Sequence, residues 1–134
     1  MNRSHEAARA LMKKAKGDRH ACHRLLDDPL TPAWIVGFHA QQAVEKAVKA
    51  WLSLLGVNIP RTHDLDALFA LVEGRGEIVP SDFESLVDLS DFAVQYRYEA
   101  FPDLEGELDR PEITARVERL VRHVETRLRD FPKP

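Results

Sequence analysis

The stretch Thr31–Leu55, TPAWIVGFHAQQAVEKAVKAWLSLL, reads as one unbroken helix closed by Gly56, and the rest of the chain has to pack around it. Thr31 can accept a hydrogen bond from the first free backbone N–H groups, and Pro32 suits the first helical position, where no N–H is needed. Gly56 supplies the left-handed residue that ends a helix without a Cβ clash. At 100° per residue, Ala40, Ala43, Val44, Ala47, Val48, Trp51, Leu52 and Leu55 fall on one broad apolar arc. His39, Gln42, Lys46, Lys49 and Ser53 fall on a narrow arc opposite. The helix therefore has a core face and a polar stripe carrying two ammonium groups and an imidazole. Such a stripe is either a solvated surface or a place where an anion is held.

Helices flank it on both sides. The spacing predicts a first helix over His5–Leu26, with Ala7, Ala8, Leu11, Ala15, Cys22, Leu25 and Leu26 as a thin apolar stripe. Arg9, Lys13, Lys14, Lys16, Arg19 and Arg24 crowd its other faces. Gly17 in its middle costs about 1 kcal/mol relative to alanine. A third helix is expected over Asp64–Val72, with Thr62 as its cap and Leu65, Leu68, Phe69 and Val72 inward. Ser81-Asp82-Phe83-Glu84 has the form of a capping box, opening a fourth helix that runs to about Tyr96. Pro102 and Gly106 interrupt the acidic segment after it. Pro111 starts a fifth helix through Arg129, with Ile113, Val117, Leu120, Val121, Val124 and Leu128 on one side. Apolar alternation of period two is nowhere sustained, so no strand is expected. Short links between long amphipathic helices favour antiparallel neighbours. The expected fold is all-α, an up-down four- to five-helix bundle, in a single domain over residues 1–134 with a core of about 7–128 and a frayed tail at 131–134.

A chain of 134 residues fits one domain. No apolar run approaches the roughly 20 residues that span a bilayer, so no membrane partner is expected. The first residues lack the continuous apolar segment of a signal peptide, and the lone Cys22 excludes an internal disulfide. Both point to the cytoplasm. The net charge is only −3, but it is unevenly spread. Residues 1–62 hold ten Lys/Arg against five Asp/Glu, residues 63–109 two against thirteen, and residues 110–134 seven against four. The basic ends can attract a polyanion such as RNA, and equally the acidic middle of one subunit could meet the basic ends of another.

The order of two motifs is specific. Ala40-Gln41-Gln42-Ala43, then Glu45-Lys46-Ala47 and Lys49, is followed downstream by Thr62-His63-Asp64-Leu65. Tyr96-Arg97-Tyr98 then precedes Pro102-Asp103. Together these resemble the HEPN family of small helical bundles over roughly Ala7–Leu128. The resemblance implies four or five helices, pairing as a homodimer, and nucleotide or RNA binding. It also implies a protein partner for some members, a minimal nucleotidyltransferase, in toxin–antitoxin-like pairs. Members that cut RNA carry an Arg, then four to six intervening residues, then a His, the one holding phosphate and the other moving a proton. Arg97 stands where that Arg is expected. Positions 102–104, where the His belongs, hold Pro102, Asp103 and Leu104. The ribonuclease pair is broken.

Around these motifs, Glu45, Lys46, Lys49, His63, Asp64, Arg97 and Tyr98 are the expected ligand- or phosphate-binding residues, with a Tyr ring available for stacking. The structural alternative for His63 is a packing role and a hydrogen bond to backbone. If the chain is a metal-independent endoribonuclease, Arg97 and His63 are its catalytic candidates, with His123 the other base to consider. Arg116, Arg119, His123 and Arg127 share a face of the last helix, either as an ion-paired surface with Glu112 or as a phosphate-tracking strip. His20 and His23 could both reach a cation, but no second ligand cluster accompanies them and no metal is expected. No Gly-rich phosphate loop or Ser nucleophile elbow is present, and no cofactor is expected. The preferred reading is a binding or interaction module.

Overall fold

The computed structural model describes residues 3–93 and 108–131. Four α-helices and one 3-10 helix follow in order: α1 (Arg3–Arg24), α2 (Ala33–Leu54), α3 (Leu65–Gly74), the 3-10 helix η1 (Ser81–Phe92) and α4 (Arg110–Asp130). No strand occurs among the described residues. All four other elements pack against α2. Ser53 near the end of α2 donates to the Ser4 carbonyl at the start of α1 (3.0 Å), so these two helices run antiparallel. Lys16 and His23 of α1 reach Glu125 and Glu118 of α4, which makes that pair antiparallel too.

The central position of α2 follows from its composition. Val36, Val44, Val48, Trp51 and Leu52 are fully buried or nearly so, and Ala40, Ala43, Ala47 and Ala50 are small enough to let neighbouring backbones close in. Around it lie Ala8, Met12 and Ala15 of α1, Leu65, Leu68 and Val72 of α3, and Val117, Leu120, Val121 and Val124 of α4. Each large apolar side chain removed from water contributes about 1.5–3 kcal/mol. Gly56 ends α2 as expected, with φ +76°. The Gly56 and Val57 N–H groups donate back to the Ser53 and Leu52 carbonyls, the paired hydrogen bonds that satisfy a helix C-terminus.

Several local expectations are corrected. Thr31 does not cap α2. Its hydroxyl donates to Asp28, whose carboxylate also accepts from the Leu30 N–H and so orders the α1–α2 turn. Asp64, not Thr62, caps α3, accepting from the Asp66 and Ala67 N–H groups, while Thr62 Oγ1 accepts from the Asp64 N–H. The Ser81–Glu84 capping box is unused: η1 begins after Pro80 with no side-chain cap.

The largest departure is η1 itself, expected as an α-helix. Its buried residues are Phe83, Leu86, Leu89 and Phe92, spaced by three. In a 3-10 helix residues three apart eclipse, so these four form one straight apolar line. In an α-helix the same residues would drift by about 60° at each step and could not all face the core. The part of the expected fourth helix after Ala93 lies outside the described residues. Gly37 of α2 completes this contact. A Cβ at that position would sit inside van der Waals range of the Phe92 ring, with nearest atoms at 2.4–2.7 Å.

Arg110, at the start of α4, fastens the bundle in a way the sequence did not announce. Its guanidinium donates to the carbonyls of Leu25, Asp28 and Thr31 at 2.6–3.0 Å. One side chain thus satisfies three carbonyls in the α1–α2 connection.

Candidate functional site

The polar stripe of α2 resolves into two knots, each built on a carboxylate shielded from water. The first is Glu45, whose side chain is only 6 % exposed. Gln41, one turn earlier on the same face, donates to Glu45 Oε1 (2.8 Å), and Lys49, one turn later, donates to Oε2 (2.9 Å). His63, on the link entering α3, brings Nδ1 to 2.8 Å of Oε1. Gln42 donates to Gln41 and extends the chain of amides. Burial by itself pushes the Glu45 carboxyl up. The hydrogen bonds from Gln41, Lys49 and His63, with the Lys49 charge, outweigh it and hold the group below the ordinary glutamate range.

An ionised carboxylate only accepts, so the proton between His63 and Glu45 belongs to Nδ1. That fixes the tautomer and leaves Nε2 for an outside group. The His63 side chain is 60 % exposed, and its Nε2 takes no hydrogen bond among the described residues. The geometry is an oriented imidazole above a buried carboxylate, with Lys49 beside it.

The second knot joins α1 to α2. Asp18 accepts from Lys46 (2.8 Å) and pairs with His39 Nδ1 (3.0 Å). Lys46 therefore does not join Lys49 around Glu45, as a single pocket requires, but holds a different carboxylate. Each knot matches one ammonium to one carboxylate, so the stripe offers an anion oriented donors more than net charge.

Of the expected binding residues, Glu45, Lys49 and His63 are brought together. Asp64 is engaged in capping α3. Arg97 and Tyr98 lie outside the described residues. Gln41 and Gln42 were not singled out for the site, although the four-residue spacing Gln41–Glu45–Lys49 places three partners on one helical face. Asp18, isolated in a basic helix, was missed as well.

The basic face of α4 is an ion-paired surface. Arg116 holds Glu112, Ser85 and the Asp82 carbonyl, Arg119 holds Asp82, and Arg127 holds Glu77. Glu77 also accepts from Trp51 Nε1 (2.9 Å). His123 is packed between Trp51 and Phe83, with ring centroids at 5.0 and 5.7 Å. Burial, then the Arg127 charge, lowers its pKa below the ordinary histidine value, with Glu77 opposing. It is a packed aromatic there, not an exposed base. At the His20/His23 position, His23 pairs with Glu118, and Cys22 is buried with its thiol pushed up to about 12 by burial and the Asp18 charge. No group of three His, Cys, Asp or Glu side chains among the described residues is placed to hold a metal ion.

Residues 8–127 match the family model described as the HEPN domain. The chain belongs to the HEPN domain family, and its all-α bundle of about five helices agrees with that membership. No curated protein and no solved structure matches it. Among the described residues no helix is long and apolar enough to cross a membrane.

Proposed function

We propose that this chain is a homodimeric HEPN-type module that binds a nucleotide or RNA and does not cut it. The observation that carries the reading is the 2.8 Å bond between His63 Nδ1 and the buried Glu45. It presents Nε2 of an exposed imidazole outward, beside Lys49, at the spot where two of the family's motifs meet. A phosphate oxygen is the ligand such a donor set suits, His63 donating when protonated and Lys49 through its remaining N–H groups. Arg97 supplies further charge in this reading, and Tyr98 a stacking surface. The lack of a histidine at 102–104 favours binding over cleavage. A minimal nucleotidyltransferase, in a toxin–antitoxin-like pair, is the protein partner we propose.

The test is a titration of the purified chain with ATP and with a labelled oligouridylate. Wild type is compared with a Lys49→Ala/Arg97→Ala variant. The reading predicts at least a tenfold loss of affinity in the variant. Retained affinity rules the pocket out.

The same hydrogen bond supports a second reading, a metal-independent endoribonuclease. A carboxylate-oriented imidazole is a suitable general base for the 2′-hydroxyl, with Arg97 on the phosphate. Cleavage that disappears in both His63→Ala and Arg97→Ala identifies that enzyme. Cleavage unchanged in both points to a contaminant.

A further inference from the structure

The basic side chains of α2 and α4 are occupied, whereas those on the outer face of α1 are not. Lys46, Lys49, Arg116, Arg119, Arg122 and Arg127 each hold a carboxylate. On α1, Lys16 and Arg19 turn toward Glu125 of α4. Lys13, Lys14 and Arg24 are exposed and make no ion pair or hydrogen bond among the described residues, and His20 is exposed beside them.

These four share one face with Gly17. Lys13, Lys14 and His20 stand at −4, −3 and +3 from Gly17, positions that border a helical residue on the surface, and Arg24 at +7 lies two turns on along the same face. Gly17 is exposed, and a Cβ built there meets nothing within 4 Å. Its φ is not positive, so neither a turn nor crowding calls for glycine in the middle of this helix. Glycine is among the poorest helix formers, and nothing among the described residues offsets its presence here. It leaves a bare patch of helix ringed by basic side chains. Ala21 borders it at +4, and Ala10 and Glu6 lie two and about three turns before it on the same side. From Lys13 to Arg24 the ring extends about 16 Å along the axis, too long for one phosphate and suited to a polymer with a charge at every step.

We infer that the outer face of α1 seats the phosphodiester backbone of an RNA strand, which approaches over Gly17 and is held by Lys13, Lys14, His20 and Arg24. The inference rests on the RNA-binding reading above, but places the strand on a different face from the Glu45–His63 knot.

The experiment is fluorescence anisotropy of a labelled oligouridylate over a range of salt concentrations, with folding checked by circular dichroism. Lys13→Glu/Arg24→Glu is expected to weaken binding at least tenfold. It should also flatten the slope of log affinity against log salt by about 1.4, at about 0.7 for each phosphate of a single strand that is no longer neutralised. Gly17→Gln adds bulk without charge. It is expected to raise the thermal midpoint, glutamine being the better helix former, and yet to weaken binding severalfold. Wild-type affinity and slope in both variants, with binding weakened by His63→Ala, would overturn the α1 assignment and leave the RNA reading standing. No binding by the wild-type chain would overturn both.

Discussion

His123 and Glu45 are two shielded ionisable side chains of opposite character, the first set by burial and the second by hydrogen bonds that outweigh burial. Burial among aromatic rings, then the Arg127 charge, lowers the His123 pKa, so the unfolded chain takes up its proton more readily than the folded one. Its contribution to stability is therefore complete above the ordinary histidine pKa of about 6.5 and falls away as pH drops below it. Glu45 and Glu77 are held below the ordinary glutamate value, so their contribution is lost only as pH falls below about 4.3. We expect the urea midpoint to fall between pH 7 and 5.5 in wild type and to fall less in His123→Phe, which keeps the ring packing. The same slope in both proteins would contradict this account of His123. Glu45→Gln removes the counter-charge of a nearly buried Lys49 and should cost about 3 kcal/mol in chemical denaturation. Gly37→Ala should cost about 1–3 kcal/mol by overpacking against Phe92, with part regained in Gly37→Ala/Phe92→Leu. If the double variant is no better than the single one, crowding is not the cause.

At the scale of elements, α2 was legible because its apolar arc, its alanines and its terminal Gly56 all agree. α1, α3 and α4 lie within a few residues of where periodicity placed them. η1 was legible in part. Phe83, Leu86, Leu89 and Phe92 do recur by three, but over so short a stretch that period resembles an α-helical one until the fixed line of burial is seen. The knots divide the same way. Gln41, Glu45 and Lys49 could be joined from their spacing within one helix. Asp18 with Lys46, and Glu77 with Trp51 and Arg127, join residues far apart in the chain, and no local pattern marks them. Arg110 belongs with these. Replacing it with alanine leaves three carbonyls of the α1–α2 connection without their shared donor, and should cost about 2–3 kcal/mol. Faster hydrogen exchange in residues 25–32 than elsewhere is the accompanying sign. Uniform exchange across the bundle would assign Arg110 a lesser role.

For the molecule as a whole, the charge distribution gains meaning once ion pairs are assigned. The cations of α4 are bound to Glu112 and Glu118 of their own helix and to Asp82 and Glu77 of the acidic middle, which ties that segment to the bundle at two points. Among the described residues, exposed unpaired positive charge is left chiefly on α1, while the α2–α3 junction offers an oriented imidazole. The proposed homodimer would repeat both features. Sedimentation equilibrium should give a mass twice the 15.3 kDa of one chain, and a single-chain mass at all concentrations would refute the pairing. The most direct test of the binding reading is the fate of RNA incubated with the purified protein in EDTA, wild type beside His63→Ala and Arg97→Ala. The account predicts RNA that is bound but intact, with binding weakened in each variant. Cleavage by the wild type that vanishes in both variants would contradict it and make the chain a ribonuclease built on His63.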